Sequence, residues 1–499
     1  MNEVRTRFAP SPTGYLHLGG VRTMLFAWLM ARHHHGKFFF RLEDTDRTRL
    51  VPDSVERMVE DFAWLGFDID EGPTVDHLRQ AGYYWEGAKG FPGGPYPYIQ
   101  SLRLDRYREV ADLLVRGGFA YRCDCTPERL EAERQQQAAR GENTGYSGYC
   151  RTRNVPASVP HVVRFLIPEG QFVAFDDAIR GRITWDPVIL RDMVILKTDG
   201  YPTYHLASTV DDHDMRISHV MRGEEWISTT PLHVLMVRAL GWDLPVIAHL
   251  PAMLGSDGKK LSKRHGATFC RTFREEGYLP DALLNFLLLN GWSPGEGSDN
   301  KEIFTRQEMI AEFSLERVKG AGAVFSFDKL KWMNSVYIRN TPDAELAQLV
   351  KPFLVESGLK VDDARLRAIV PHVRERMNAS LKDALPFVDF LFMDQVKASA
   401  ADIVPPKVTA DQAVKALTAA LDTLGALPSF EAAAVEEGLR GLPAALGLSP
   451  KAVFMTIRVA VTGRKATPPL FESISILGRE RTLQRLAAAI ASLTDHGRG

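Results

Sequence analysis

The stretch Pro10-Ser11-Pro12-Thr13-Gly14-Tyr15-Leu16-His17-Leu18-Gly19-Gly20 decides how this chain is read. It follows a short apolar strand, Val4 to Phe8, and runs into a segment where Val21, Met24, Leu25, Trp28 and Leu29 recur at helical spacing. The pattern predicts a strand, a tight loop and a helix N-terminus. Such a turn aims backbone N–H groups and the positive end of a helix dipole outward, which suits a phosphate, and His17 adds an imidazole at the same mouth. Gly14, Gly19 and Gly20 let a ligand approach the backbone. Alone, the loop reads equally well as a plain turn bearing a surface histidine.

Working outward, the helix closes near Gly36 and Lys37 to Leu42 reads as a buried, Phe-rich strand. This is how a doubly wound parallel sheet opens, with its ligands at the carboxyl ends of strands. Glu43 falls at such an end, where it could receive a substrate ammonium or pair with Arg41 or Arg47. Asp44 and Asp46 are short acceptors suited to shaping the following turn. Asp53 and Glu56 have capping-box spacing for a helix running through Leu65.

Far downstream lies Lys259-Lys260-Leu261-Ser262-Lys263-Arg264-His265-Gly266, whose lysines and arginine make a charge run flanked by Gly255, Gly258 and Gly266. A charge run is usually a solvated face, but a glycine-flanked cationic loop is also what would close over a triphosphate. Together the two stretches resemble the paired signature of class I aminoacyl-tRNA synthetases: His17-Leu18-Gly19-Gly20 is similar to their HIGH motif, and Lys260-Leu261-Ser262-Lys263-Arg264 to their KMSKS motif. With Arg7 to Gly14 and Leu42-Glu43-Asp44-Thr45-Asp46-Arg47 added, the chain resembles the bacterial glutamyl-tRNA synthetases in order over nearly its whole length.

Composition sets the frame. The 499 residues are too many for one core, and 45% hydrophobic with 25% charged residues is ordinary for a soluble globular protein. A net charge of −1 gives no overall basic field, so nucleic acid would have to meet local basic faces. Met1-Asn2-Glu3-Val4-Arg5 has no secretory pattern, and no apolar run reaches membrane-spanning length. Four cysteines are too few for a disulfide scaffold, which points to a reduced, cytoplasmic location.

The resemblance implies a fold and a division. The fold is α/β: a Rossmann-like doubly wound parallel sheet split by an α+β insertion and followed by an all-helical anticodon-binding region. Residues 1–102 and 205–240 would be the two halves of the catalytic sheet, and 103–204 an insertion that binds the tRNA acceptor end. Residues 241–334 would form a stem-contact domain carrying the cationic loop, with a polar stretch from Ser293 to Asn300 inside it. Residues 335–499 would be the helical region, with a break near 404 at Ile403-Val404-Pro405-Pro406-Lys407 and another at Gly425 to Pro428. The segment from His77 to Pro97, rich in glycine and tyrosine, departs from the family pattern and reads as a self-packed loop without assigned function. Some members hold zinc with a C-x-C pair, a third cysteine and a histidine; here Cys123, Cys125 and Cys150 match, but Thr152 stands at the fourth position, so no metal site is assigned.

The activity implied is glutamate–tRNA ligation: L-glutamate and ATP, with Mg²⁺, give glutamyl-adenylate, and the glutamyl group passes to the 3′-terminal adenosine of tRNA(Glu). His17 and Lys263 would be catalytic, with Gly19, Gly20, Lys260, Ser262 and Lys263 at ATP. Arg7, Ala9, Ser11, Glu43, Tyr204, Ser208 and Arg222 would form the glutamate pocket, although some relatives carry Asn where this chain has Ser208. Arg374 and Arg376 lie where the family reads an anticodon base. A monomer is expected by analogy. The rival readings are a truncated relative that modifies a tRNA base, a small-molecule nucleotidyltransferase and a non-catalytic binding protein; the first two have no use for the helical C-terminal region.

Overall fold

Strand β1 (Arg5–Phe8), helix α1 (Leu18–His33) and strand β2 (Lys37–Phe40) form the expected opening unit, with β1 and β2 parallel and Arg7 opposite Phe39. This computed structural model describes residues 3–186, 190–295 and 300–496. Met1, Asn2 and positions 296–299 of the polar stretch lie outside the described residues. α1 is buried on most sides, from Val21 through Met24, Leu25 and Leu29, because it is covered by sheet and helices alike. Phe38, Phe39 and Phe40 are fully buried, as an interior parallel strand requires.

The chain packs as two units, Met1–Arg274 with Pro280–Phe327, and Glu275–Leu279 with Asp328–Gly499. In the first, α2 (Ser54–Leu65), a short α3 (Val75–Gln80) and α4 (Leu104–Arg116) lead to a three-stranded antiparallel sheet of β3 (Ala120–Cys123), β4 (Val162–Phe165) and β7 (Val194–Leu196), with helix α5 (Pro127–Ala139) between the first two strands. β5 (Val173–Asp177) and β6 (Gly181–Trp185) form a hairpin. Helix α6 (Tyr204–Asp214), strand β8 (His219–Gly223), helix α7 (Thr230–Ala239) and strand β9 (Val246–Leu250) complete the second half of the parallel sheet.

Two contacts join what the sequence separates. Ser218 donates its N–H to the Arg5 carbonyl at 2.9 Å, and its hydroxyl accepts the Arg5 N–H at 2.7 Å, so β8 begins beside β1. The carboxyl ends of β1 and β8, which carry Arg7 and Arg222, are therefore neighbours at the point where strand order reverses; open α/β sheets bind ligands there. The β5–β6 hairpin is not a free-standing part of the insertion. Asp177 at the end of β5 pairs with Ile247 of β9, which makes the sheet mixed at this edge.

Three local expectations change. Asp53 precedes α2 but makes no side-chain cap; its carboxylate instead accepts the Tyr15 hydroxyl at 3.0 Å and pairs with Arg57. Asp44 does more than shape a turn, since it accepts the Ser101 N–H at 2.8 Å and the Tyr83 hydroxyl at 3.0 Å. That second bond ties the 77–97 segment down, and Phe91 of the same segment packs on Phe40 and Phe62.

The second unit is helical, without a strand among the described residues. Long helices Ala410–Ala426, Pro450–Thr462 and Arg479–His496 form its body, and the buried guanidinium of Arg485 donates to the carbonyls of Val461 and Phe390. The first expected break follows helix Ala400–Ile403, with Lys407 at φ 70°; the second begins only after Ala426, because Gly425 lies inside its helix. Arg374 donates to the Arg339 carbonyl at 2.7 Å and pairs with Asp343, while Arg376 lies exposed over the Phe387 ring. No helix among the described residues is long and apolar enough to cross a membrane.

Candidate active site

The two signature loops meet through the backbone. Leu18 N–H donates to the Thr268 carbonyl and Cys270 N–H to the Leu16 carbonyl, each at 2.9 Å, which stitches the turn before α1 to the end of the cationic loop. A cleft of about 720 Å³ opens between them. Its lining includes Arg7, Ala9, Ser11, His17, Gly19, Gly20, Glu43, Tyr204, Arg222, Lys260 and Lys263. Residues from both ends of the catalytic unit thus face one space. Ser262 and Ser208 do not line it. The Ser262 N–H donates to His265 Nδ1 at 3.0 Å, and Ser208 is buried one turn along α6 from Tyr204 with its hydroxyl lacking a partner among the described residues.

His17 is the N-cap of α1. Its Nδ1 accepts the Gly20 N–H at 3.2 Å, so one amide expected to face a phosphate is already used, as is that of Leu18. Gly19 keeps the first-turn N–H that has no partner among the described residues. With Nδ1 as acceptor, a neutral ring carries its proton on Nε2 and offers it outward. The surrounding cleft walls and the Lys260 ammonium both lower the His17 pKa, which favours that neutral form. A Cβ at Gly19 would stand 2.9 Å from His17 Cε1. Gly19→Ala is therefore expected to displace the ring and slow nucleotide chemistry about tenfold, while the melting temperature stays near that of the wild type; stopped-flow turnover beside a thermal melt checks both.

The two arginines of the amino-acid side differ in their partners. Arg7 is neutralised: Nε and Nη2 donate to the two oxygens of Asp212 at 3.0 and 3.2 Å, and Nη1 donates to the Met221 carbonyl. Asp212 also receives Arg41, whose fully buried guanidinium donates to Glu43 at 2.8 Å. Glu43 is thus paired with Arg41 and not with Arg47, which reaches Asp44. Burial pushes the Glu43 carboxyl up, against the pull of Arg41. Its Oε2 has no hydrogen-bond partner among the described residues, and Glu43 lines the same space.

Arg222 is different. Only 7% exposed, it has no carboxylate within ion-pair reach among the described residues. Its partners are neutral: Nε donates to His249 Nε2 at 3.1 Å, Nη1 to the Tyr204 hydroxyl at 3.1 Å and Nη2 to Thr230 Oγ1 at 2.7 Å. Each terminal nitrogen keeps one N–H. A buried guanidinium held this way is a fork prepared for an anion. Tyr204 is fixed in turn by packing on Trp226, with ring centroids 4.2 Å apart.

Three features escaped the sequence reading. Asp212 stands at i+8 from Tyr204, so Tyr204, Ser208 and Asp212 share one face of α6; that spacing was a usable signal. His249 and Asp177 gave none, since an isolated histidine in an apolar strand reads as core. Arg22 also lines the cleft, buried on α1 and donating to the carbonyls of Asn290 and Pro251, with burial lowering its pKa to about 10.

Beneath the cleft, His205 Nδ1 and His233 Nε2 share a hydrogen bond of 3.0 Å. Burial, then the charge of Arg222, lowers His205 to about 4 and His233 well below its ordinary value. Both are neutral when folded but take up protons near pH 6.5 when unfolded, so stability is complete above that pH and is lost as pH falls toward 4. Urea unfolding is expected to show a lower midpoint at pH 5 than at pH 7.5, with a smaller difference in His205→Gln.

The sulfurs of Cys123, Cys125 and Cys150 lie within 4.8 Å of one another. Three thiols so placed fit three corners of a structural zinc site, which takes four ligands. Tyr146 Oη is 3.5 Å from Cys123 Sγ and Asp124 Oδ1 is 3.3 Å from Cys150 Sγ.

A split parallel sheet with the two signature loops at one switch point and a cationic cleft between them defines a class I aminoacyl-tRNA synthetase. The profile of the class I tRNA synthetase (E and Q) catalytic domain matches residues 3–332, and that of an anticodon-binding domain matches 345–490. The chain is 44% identical over 500 residues to a glutamate–tRNA ligase of Dehalococcoides mccartyi, covering 99% of this chain and 98% of that one, and 44% identical to one of Acidothermus cellulolyticus, covering 98% and 96%. The crystal structure of a glutamate–tRNA ligase from Elizabethkingia meningosepticum in complex with its amino acid superposes with a TM-score of 0.81 at 35% identity, covering 99% of this chain and all of that one. The chain belongs to the glutamate–tRNA ligase family.

Proposed function

We propose that this cleft activates L-glutamate with ATP and Mg²⁺ and transfers the glutamyl group to the terminal adenosine of tRNA(Glu). The observation that carries this reading is the buried Arg222, without an acidic partner among the described residues, in one cleft with His17, Lys260 and Lys263. Glutamate brings two carboxylates and one ammonium. Arg222 takes a carboxylate with its remaining N–H groups, Glu43 Oε2 receives the ammonium, and Arg7, Tyr204, Ala9 and Ser11 complete the wall. Arg7 already has Asp212, so its share of the negative charge is smaller.

The first step asks a carboxylate oxygen to attack the α-phosphorus of ATP. Two anions must approach, so the protein's contribution is position and preorganised positive charge, with no nucleophile of its own. The His17 Nε2–H donates to the triphosphate beside the open Gly19 amide. Lys263 stabilises the transferring phosphoryl group and the departing pyrophosphate, and Lys260 adds charge beside Glu225, 3.7 Å from its own Nζ. Ser262 acts through the loop, since its amide is used by His265. Mg²⁺ would come with ATP and would supply further positive charge for the triphosphate.

Transfer then needs the tRNA end in the same cleft, and the helical unit, with Arg376 exposed, serves the anticodon. We read the enzyme as a cytoplasmic monomer. Charging of total bacterial tRNA with labelled glutamate tests the reading: incorporation of glutamate and not of free glutamine is expected, and equal use of both amino acids would overturn it.

A further inference from the structure

Arg222 lacks a carboxylate of its own, yet a buried guanidinium needs compensation and a fixed orientation. The structure supplies both at one remove. Asp177, 3% exposed at the end of β5, accepts the Nδ1–H of His249 at 2.6 Å, and the other nitrogen of that ring accepts the Nε–H of Arg222 at 3.1 Å. His249 itself is fully buried. We propose that Asp177 and His249 are positioning residues for glutamate: together they hold Arg222 as an open, charged fork facing the cleft. This rests on the reading of that cleft as the glutamate site.

The donor inventory forces the order of the chain. Arg222 Nε–H can only donate, so His249 Nε2 must present a lone pair and the ring proton must sit on Nδ1. Asp177 fixes that tautomer. Its Oδ1 is occupied by the backbone N–H groups of Ile179 and Arg180, each at 2.9 Å, which leaves Oδ2 for the ring and for the His249 N–H at 3.1 Å. Burial raises the Asp177 pKa, but the bonds from His249 and from those amides outweigh it and keep the carboxylate ionised.

The Thr230 contact has the same logic. Thr230 Oγ1 accepts from Arg222 Nη2, and its single proton faces two acceptors, the Trp226 carbonyl at 2.8 Å and His249 Nε2 at 3.1 Å, so toward Arg222 the hydroxyl is an acceptor. A carboxylate placed directly on Arg222, as Asp212 is on Arg7, would neutralise the fork and compete with the substrate. A carboxylate one imidazole away stabilises the cation and leaves its outer N–H groups free. Second-sphere carboxylate–histidine pairs orient metal ligands in the same manner.

The arrangement also explains the placement of the β5–β6 hairpin. The residue that pairs with Ile247 of β9, Asp177, is the one that sets the ring two positions further along that strand. A segment within the insertion thereby takes part in amino-acid recognition.

Steady-state charging with glutamate, ATP and tRNA varied in turn tests this on Asp177→Asn, His249→Phe, His249→Gln and the Asp177→Asn/His249→Phe pair. Asn either turns its amide N–H toward Nδ1, which selects the wrong tautomer, or turns it against the Ile179 and Arg180 amides. The expected result is a rise in KM for glutamate of about tenfold in Asp177→Asn and up to about a hundredfold in His249→Phe, with KM for ATP within about twofold. His249→Gln, whose amide oxygen can accept from Arg222, should recover part of the loss, and the double variant should be no worse than His249→Phe alone.

A merely structural role would raise the KM for ATP and lower kcat in the same proportion. Folded variants with wild-type KM for glutamate, or losses shared equally by ATP, would overturn the proposal. Asp177→Asn is nearly isosteric and tests the chain even where His249→Phe fails to fold. A wild-type enzyme that charges no glutamate would remove the reading of the cleft itself, a different failure from an active enzyme indifferent to these substitutions.

Discussion

Lys263→Ala is expected to fold and bind glutamate as the wild type does, yet to form glutamyl-adenylate on the order of a hundredfold more slowly or worse. The side chain is exposed and makes no ion pair among the described residues, so removing it leaves no buried charge behind. Its Nζ lies over the ring of Phe269, 4.9 Å from the centroid, in the segment that is stitched to the turn before α1. Lys263 and Phe269 line the same cleft as His17. Negative charge on the phosphoryl group and pyrophosphate grows only as the reaction proceeds, so the loss should appear in the rate of adenylate formation and hardly in glutamate affinity. Equilibrium glutamate binding, a thermal melt and single-turnover adenylate formation separate these effects. A wild-type rate would refute the assignment.

Substitution of Arg222 should give the opposite signature. In Arg222→Gln the fork is lost and the substrate carboxylate enters a buried site without its charge, a cost of about 3–5 kcal/mol. That corresponds to more than a hundredfold rise in the KM for glutamate. Arg222→Lys keeps the charge but cannot donate to His249, Tyr204 and Thr230 at once, so it should fall between the two. ATP affinity should be nearly unchanged in both, because the proposed triphosphate contacts are His17, Gly19, Lys260 and Lys263 and do not include Arg222. Glutamate and ATP titrations of the purified variants check the contrast with Lys263→Ala, in which the defect lies in rate.

What could be read from sequence was local or periodic. The β1–loop–α1–β2 opening was legible because an apolar strand, a glycine-bearing turn and a 3.6-residue period succeed one another within the first 40 residues, and the structure reproduces it with boundaries shifted by a few residues. The helical character of the C-terminal unit was legible for the same reason. Most of the cleft was legible through its motifs: His17, Glu43, Tyr204, Arg222 and Lys263 do converge on one space.

The unread part depends on pairing across the chain. Nothing local says that Asp177 meets His249, that the hairpin carrying Asp177 joins the catalytic sheet, or that Asp212 lies between Arg7 and Arg41. The failed cap at Asp53 has a like cause: a tertiary partner, Tyr15, competes for the carboxylate that local spacing reserved for the helix. The placement of Ser208 was likewise not legible, for its hydroxyl is buried and the residue is absent from the cleft lining, one helical turn from Tyr204.

ATP–pyrophosphate exchange, run with glutamate and with glutamine, each with and without total bacterial tRNA, tests the central claim most directly. Exchange driven by glutamate and dependent on tRNA is the predicted result. Exchange driven equally by glutamine, or none with glutamate under any condition, would contradict it.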